Sequence, residues 1–235
     1  RNIVFMGMGE PLKNYDQVLS AIRAMTDGNR FGLAPSRITL STVGIIPKML
    51  ELTRDIPSIQ LALSLHAPTQ ELRQEIVPSA KSYPIEKLVD AMQYFIDRSK
   101  KRILVEYVLL DGVNASEKEA HQLGQLLKGM DVMINLIPYN STSVGVEYHA
   151  PSRADSVRFQ TILTDEYKLF TTIRVEMGAD INGACGQLAL ENQNLAGIKP
   201  RGLIDDTATP DLEGMGLTKE NGCATSGAGD IEDIG

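Results

Sequence analysis

The chain has 235 residues, of which 43% are hydrophobic and 23% are charged, and this composition predicts a globular unit with a sizeable core. Its two cysteines, Cys185 and Cys223, are too few for a disulfide scaffold, and no run of 18 apolar residues could cross a membrane. Because the chain opens at Arg1 directly before an apolar run, we expect its true beginning, with any targeting segment, to be missing.

The net charge of −7 is concentrated at the C-terminal end of the chain. Residues 201–235 hold eight acidic and two basic residues, a balance of −6, so the preceding 200 residues carry only −1. This end is rich in Gly, Asp, Thr and Ser and has little apolar surface to offset the entropy of ordering. We therefore predict an acidic, disordered tail over residues 191–235. The near-neutral body neither indicates nor excludes nucleic-acid binding, which needs only a local basic patch.

Strand-like and helix-like segments alternate along the body of the chain. Apolar, β-branched runs typical of strands lie at 2–6, 37–43, 59–65, 102–110, 132–137 and 171–175. Helical periodicity lies between them at 15–26, 84–98, 116–128 and 153–168. Pro47 and Pro84 indicate helix starts, and Ser116 with Glu119 predicts a capping box. The alternation predicts βα units, a parallel sheet and a partial barrel. The glycine pattern of a dinucleotide-binding fold is absent from the sequence.

Small and polar residues follow the predicted strands, at the edge where parallel α/β folds bind ligands. The strand ends carry Gly7-Met8-Gly9-Glu10-Pro11, Ser41-Thr42-Val43-Gly44, Ser64-Leu65-His66-Ala67, Asp111-Gly112-Val113-Asn114 and Pro138-Tyr139-Asn140. Glu10 could bind an amine or hydroxyl, or cap a tight turn. Ser41 and Ser64 could bind a ribose or carboxylate, or cap helices. His66 could be a base or a ligand, or a structural hydrogen-bonding histidine. No zinc site can be assembled from recognised spacings.

Cys185 is the most distinctive single residue in the sequence. Three glycines flank it, at Gly178, Gly183 and Gly186, which predicts a pliable loop rather than a packed helix. A buried structural cysteine is usually surrounded by branched apolar residues, whereas a reactive one is exposed. We therefore interpret Cys185 as a functional nucleophile. Cys223, in the predicted tail, is interpreted as incidental.

Taken together, the motifs resemble one known family, and the resemblance covers residues 1–190. They are Gly7-Met8-Gly9-Glu10-Pro11, Leu40-Ser41-Thr42, Leu63-Ser64-Leu65-His66-Ala67, Tyr107-Val108-Leu109-Leu110-Asp111-Gly112-Val113-Asn114, Asn135-Leu136-Ile137-Pro138-Tyr139-Asn140 and Ala184-Cys185-Gly186-Gln187-Leu188. In this order they resemble the RlmN/Cfr group of radical SAM adenine methyltransferases. The segment 174–178 and the closing Asp230-Ile231-Glu232-Asp233 are more similar to the plant and algal branch.

The resemblance implies a fold and a mechanism. The fold is a partial (β/α)6 TIM-like barrel of the radical SAM type over residues 1–190, with a C-terminal loop that carries Cys185, lacking the first strand and the N-terminal domain. In the mechanism, S-adenosylmethionine (SAM) first methylates Cys185. A second SAM, bound to a [4Fe-4S] cluster, is cleaved to a 5′-deoxyadenosyl radical. That radical takes a hydrogen atom from the methylated cysteine, and the resulting carbon radical attacks C2 of an adenine. Another cysteine then resolves the RNA–protein link.

The resemblance also implies site residues and partners. Gly9 and Glu10 would hold the amino end of SAM. The other cofactor-binding residues that it implies are Ser41, Ser64, Leu65, His66 and Asn140. The implied substrates are large-subunit ribosomal RNA and transfer RNA, and the implied electron donor is a flavodoxin or ferredoxin. We expect a monomer without membrane attachment, in the cytoplasm or a plastid.

The sequence departs from the family at the cluster ligands. Family members carry Cys-x-x-x-Cys-x-x-Cys after the first barrel strand, and this chain has no such motif. We expect the ligand cysteines, the resolving cysteine and a catalytic glutamate to lie upstream, so that this piece alone is inactive. An RNA- or SAM-binding module without a cluster is the alternative, and an unrelated barrel enzyme with Cys185 as a simple nucleophile is a third. No named residue decides between C2 and C8 of adenine, and overall likeness favours C2.

Overall fold

A six-stranded parallel sheet organises the protein. The computed structural model describes residues 2–6, 9–140 and 148–174. The strands are β1 (Ile3–Phe5), β2 (Ile38–Thr42), β3 (Gln60–Ser64), β4 (Ile103–Leu109), β5 (Val132–Pro138) and β6 (Phe170–Ile173). The helices are α1 (Tyr15–Thr26), α2 (Ile46–Asp55), α3 (Gln70–Ile76), α4 (Ile85–Ser99), α5 (Glu117–Leu127) and α6 (Arg153–Thr161). The strands pair in sequence order, β1 to β6, which confirms the predicted α/β partial barrel.

Alternation along the strands separates the core from the functional face of the sheet. In β4, Ile103, Val105, Tyr107 and Leu109 are fully buried, and they belong to the core formed with the helices. The intervening residues of β4 face the other side of the sheet, because successive side chains of a strand point in opposite directions. Glu106 is one of these intervening residues.

The predicted element boundaries agree with the structure to within two residues for the strands and for three of the four predicted helices. The fourth, predicted at 153–168, is α6 followed by a wider π-helical turn at Ile162–Glu166. Ile162 and Leu163, at the start of that turn, are both buried. The capping box of Ser116 and Glu119 is present at the start of α5.

Both prolines that predict helix starts lie at the beginning of helices. Pro47 lies in the first turn of α2, and Pro84 precedes α4 as its N-cap residue. Helix α3 was not among the predicted segments.

No helix within the described residues is long and apolar enough to cross a membrane. Gly7, Met8, the Cys185 loop and the acidic tail at 191–235 lie outside the described residues.

Candidate cofactor-binding site

A cavity of about 420 Å³ opens at the carboxyl ends of the strands. Five of the seven predicted cofactor-binding residues line it: Gly9, Glu10, Ser41, Ser64 and His66. Its apolar lining comes from Met6, Val43, Val108 and Ile137, and its further polar lining from Thr42, Glu106 and Arg174. Parallel pairing brings residues from all six strands to one edge of the sheet, which is why motifs distant in sequence meet here.

Glu10 connects two strand ends through its carboxylate. One oxygen, Oε1, accepts a hydrogen bond from the Leu12 backbone N–H at 2.9 Å, which caps the short helical turn that begins at Pro11. The other, Oε2, accepts from the Val43 N–H at 2.7 Å, at the end of β2. The acid-capped turn is therefore present. Each oxygen keeps a lone pair that a ligand donor could use.

Ser41 and Ser64 meet at a carboxylate that the sequence analysis did not single out. Both hydroxyls donate to Oε2 of Glu106, at 3.2 Å from Ser41 and 3.5 Å from Ser64. Neither serine therefore acts as a helix cap. Burial raises the pKa of Glu106, and the two hydroxyls and the nearby Arg174 oppose that rise.

His66 lines the cavity as a neutral ring. Its backbone has a φ of 59°, and its Nδ1 accepts a hydrogen bond from the Val108 N–H at 3.1 Å. Since Nδ1 is the acceptor, the ring proton lies on Nε2. Burial, assisted by the charge of Arg73, lowers the pKa of His66 to about 4. His66 is thus a hydrogen-bonded structural histidine with one donor left for a ligand.

Two fully buried side chains hold these strand ends in place. The Asn114 amide donates to the carbonyls of His66 and Val108, at 2.8 and 2.7 Å, and accepts from the Leu110 N–H at 2.7 Å. The guanidinium of Arg73 donates to the carbonyls of Leu65 and Val43. Asn114 and Arg73 therefore fix the backbone that carries the cavity.

The other two predicted cofactor-binding residues, Leu65 and Asn140, do not line the cavity. Leu65 is fully buried in the core, and its N–H donates to the Glu106 carbonyl at 3.0 Å. Asn140 follows β5 but does not contribute to the described lining of the cavity. Cys185, the predicted nucleophile, lies outside the described residues.

Sequence reasoning missed Glu106 and Arg174 as lining residues. Glu106 lies in the middle of an otherwise apolar strand, and an isolated acid in such a run was the available signal. Arg174 follows the last strand, and its N–H donates to the Leu136 carbonyl at 2.8 Å. The cavity thus offers a buried carboxylate, hydroxyls, a histidine N–H and a guanidinium beside apolar walls. This mixture is typical of sites that bind one small polar molecule in a fixed orientation.

The match to a family model decides the family. Residues 1–123, just over half of the chain, match the model described as the radical SAM superfamily. The chain belongs to the radical SAM superfamily. A crystal structure of a radical SAM methyltransferase from Sphaerobacter thermophilus is similar to it, with a TM-score of 0.76 and 39% identity, covering 79% of this chain and 54% of that one.

Curated relatives of this radical SAM chain are RNA methyltransferases by name. A probable dual-specificity RNA methyltransferase RlmN from Alkaliphilus oremlandii is 46% identical over 187 residues, covering 80% of this chain and 54% of the relative. A dual-specificity RNA methyltransferase RlmN from Marinomonas sp. is 44% identical over 189 residues, covering 80% of this chain and 50% of the relative. The chain therefore spans about half the length of the relatives that it matches.

A more distant structure agrees on the fold alone. A domain of a pyruvate-formate lyase-activating enzyme from Bacteroides vulgatus is 20% identical, with a TM-score of 0.57 over 74% of this chain. Together with the closer structure, this similarity confirms the predicted barrel type.

The two cofactors of the superfamily, SAM and a [4Fe-4S] cluster, fit the residues present to different degrees. SAM carries an ammonium, a carboxylate, a ribose and an apolar base, and the cavity has acidic, basic, hydroxyl and apolar surfaces to match. The cluster needs three cysteine thiolates from the protein, whereas the whole sequence holds two cysteines. Within the described residues no group of three or more His, Cys, Asp or Glu could hold a metal ion. These residues therefore do not provide a cluster site.

Proposed function

We propose that this chain forms the SAM-binding barrel of an RNA methyltransferase, which adds a methyl group to C2 of an adenine in large-subunit ribosomal RNA and also acts on transfer RNA. The observation that carries the proposal is the single cavity into which Gly9, Glu10, Ser41, Ser64 and His66 converge. The names of the similar proteins, dual-specificity RNA methyltransferases, support RNA as the substrate class.

The lining residues suit the successive parts of SAM. Glu10, tied between Leu12 and Val43, presents fixed acceptors to the amino end of the molecule. The two serine hydroxyls lie one and two strands farther along the sheet, beside the expected position of the sugar. Val108 and Ile137 provide apolar surface for the adenine ring. Fixed acceptors and apolar walls orient the cofactor and exclude water from its sulfonium.

In this proposal Cys185 carries the methyl group. Its thiolate attacks the methyl carbon of SAM, so that the carbon–sulfur bond to Cys185 forms and the sulfonium bond breaks, releasing neutral S-adenosylhomocysteine. A carrier is needed because C2 of adenine is electron-poor and does not attack a sulfonium methyl group directly. Gly183 and Gly186 stand beside Cys185 in the sequence, and glycine adopts backbone conformations that other residues disfavour.

The experiment replaces Cys185 and Cys223 separately in the native protein. We expect Cys185→Ala to abolish formation of 2-methyladenosine, measured by mass spectrometry of nuclease-digested ribosomal and transfer RNA. Cys223→Ala serves as the matched control and should leave the yield unchanged. Normal product from Cys185→Ala would contradict the role of this cysteine as methyl carrier.

A second candidate function is a SAM- or RNA-binding module that performs no radical chemistry. One observation favours it: the sequence holds two cysteines and no Cys-x-x-x-Cys-x-x-Cys motif. The two candidates differ in iron content and in the start of the native chain. Anaerobically purified native protein with four irons and N-terminal peptides containing three further cysteines supports the methyltransferase. Iron-free protein that begins near Arg1 supports the binding module.

A further inference from the structure

Glu106 has one occupied and one available carboxylate oxygen. The residue is only 6% exposed and lines the cavity from β4. Its Oε2 receives both serine hydroxyls, from Ser41 and Ser64. Within the described part of the chain, no hydrogen bond reaches Oε1. A buried carboxylate is costly unless its oxygens are paired, so Oε1 needs a donor from elsewhere.

The serines give this part of the cavity a defined polarity. Because each hydroxyl directs its proton at Glu106, the Oγ atoms of Ser41 and Ser64 keep only lone pairs for a ligand. Together with Oε1, they form a cluster of hydrogen-bond acceptors, which we call the acceptor cluster (Ser41, Ser64 and Glu106). A ligand group that fits it must bring hydrogen-bond donors.

We propose that Glu106 is a ribose-binding residue, whose Oε1 accepts hydrogen bonds from the vicinal hydroxyls of a nucleoside ligand. This assignment rests on the proposed function, which places SAM in the cavity. A ribose supplies two neighbouring O–H donors, and carboxylates bind ribose hydroxyls in the same way in other α/β folds.

The two carboxylates of the cavity enter it from different strands. Glu10 follows β1 and is bound to the end of β2, through the Val43 N–H, whereas Glu106 lies on β4. One extended nucleoside with an amino-acid chain can therefore contact Glu10 through its ammonium group and Glu106 through its ribose.

Charge also favours hydroxyls. Arg174 lines the same cavity and lies close enough to Glu106 for its charge to oppose the rise in the carboxyl pKa that burial causes. Its positive charge offsets the carboxylate and repels a second cation. Neutral O–H donors are therefore better suited to the acceptor cluster than a second positive group.

The test compares ligands with and without the hydroxyl groups. SAM, S-adenosylhomocysteine and their 2′-deoxy and 3′-deoxy analogues are titrated calorimetrically into native protein and into Glu106→Gln. We expect Glu106→Gln to weaken binding of both parent ligands about 10- to 100-fold, the range for a hydrogen bond to a charged group. For at least one deoxy analogue the loss should be under about 3-fold, because the bond is already absent.

Two further variants separate the loss of a specific hydrogen bond from a general effect of removing a carboxylate. Glu106→Asp keeps the charge and shortens the side chain, and we expect an intermediate loss for the hydroxyl-bearing ligands. Glu86→Gln removes an exposed carboxylate from α4 and should bind every ligand as the native protein does. Urea unfolding of each variant shows whether the fold is retained.

The outcomes separate this assignment from the proposed function. Equal losses for all ligands in both Glu106 variants overturn the assignment, because Glu106 would then act only through the serines. A loss for SAM but not for neutral S-adenosylhomocysteine also overturns it, because Glu106 would then bind the positive charge. Native protein that binds neither SAM nor S-adenosylhomocysteine overturns the proposed cofactor site itself.

Discussion

Two depressions on this molecule differ in what their polar groups do. The larger, about 550 Å³, is a groove beside the first turns of α5 and α6, and we call it the helix-end groove. Its side chains include Asp111, Glu117, Glu119, Asp155 and Arg158. The smaller, about 420 Å³, is the strand-end cavity described above. Volume alone would favour the groove as the functional site.

Hydrogen bonding reverses that order. In the groove, Glu119 completes the capping box of Ser116, Glu117 forms an ion pair with Arg158, and the Asp155 N–H is capped by Ser152. These polar groups satisfy one another and the helix ends, as helix N-termini require. In the cavity, by contrast, acceptors of buried groups remain available. A site is therefore marked by available polar atoms on a fixed backbone rather than by its size.

Replacement of Asn114, which lies between the two regions, should cause the largest loss of stability. Its neighbours Val113 and Ala115 line the groove, whereas its own side chain holds the carbonyls of His66 and Val108 at the cavity. We expect Asn114→Leu to lower the free energy of unfolding by roughly 3–5 kcal/mol, because three buried backbone groups lose their partner.

Urea unfolding, monitored by circular dichroism, measures this loss. The control is Gln93→Leu, which removes an exposed amide from α4 and should change stability by less than about 0.5 kcal/mol. A loss below about 1 kcal/mol for Asn114→Leu would show that the cavity backbone does not depend on this amide.

The strands and most helices were predictable because local signals suffice for them. β-Branched runs, Pro47, Pro84 and the Ser116 capping box act over a few residues, and the structure bears out each of them. Helix α3 was not predicted, because its seven residues, QELRQEI, contain too few apolar positions to show a helical period.

The convergence of the acceptor cluster could not be read from the sequence in the same way. Ser41, Ser64 and Glu106 are separated by 23 and 42 residues along the chain, and only the strand order β2-β3-β4 makes them neighbours. Glu106 was missed because strand prediction treats the run around it as core. Which face of β4 it occupies depends on register, and register follows from the pairing with β3 and β5.

Substitution of one glycine in each region should cause the next largest loss of stability and compares how tightly the two regions are packed. Gly44, beside the cavity, has a φ of +98°, and an added Cβ would lie 2.7 Å from Cδ1 of Leu88. Gly112, in the groove, has a φ of +67° with open space around it. We expect Gly44→Ala to cost about 3 kcal/mol from strain and overpacking, and Gly112→Ala about 1 kcal/mol from backbone strain alone.

Thermal or urea unfolding of the two alanine variants provides the comparison. Equal losses would show that packing against Leu88 adds nothing to the backbone cost. In that case the cavity would be no more tightly packed than the groove, and the contrast between the regions would rest on hydrogen bonds alone.

Acid should destabilise the protein through the cavity residue His66. Its folded pKa of about 4 lies below the ordinary value of 6.5, so the unfolded state binds the proton more readily. This contribution is fully present above pH 6.5 and is lost as the pH falls from 6.5 towards 4. Between pH 7 and pH 5 we expect the free energy of unfolding to drop by about 2 kcal/mol from this residue.

His66→Asn isolates that contribution, because asparagine tolerates the left-handed backbone at this position. Urea unfolding at pH 7 and pH 5 should give a smaller drop for the variant than for the native protein, by about the stated 2 kcal/mol. Identical pH dependence of the two proteins would mean that His66 titrates normally in the folded state.

Replacement of four serines, two in each region, should cause the smallest losses of stability and separates helix capping from ligand binding. Ser116 and Ser152 cap helices in the groove, and replacing either with alanine should cost about 1 kcal/mol of stability. Ser41→Ala and Ser64→Ala remove hydroxyls from the acceptor cluster and should also weaken SAM binding about 3- to 10-fold.

Since a ligand stabilises the folded state according to its affinity, measuring unfolding with and without SAM separates helix capping from ligand binding. The groove variants should lose the same stability in both conditions, whereas the cavity variants should lose more when SAM is present. If all four serines respond alike, the cavity hydroxyls are structural, and the difference between the two regions disappears.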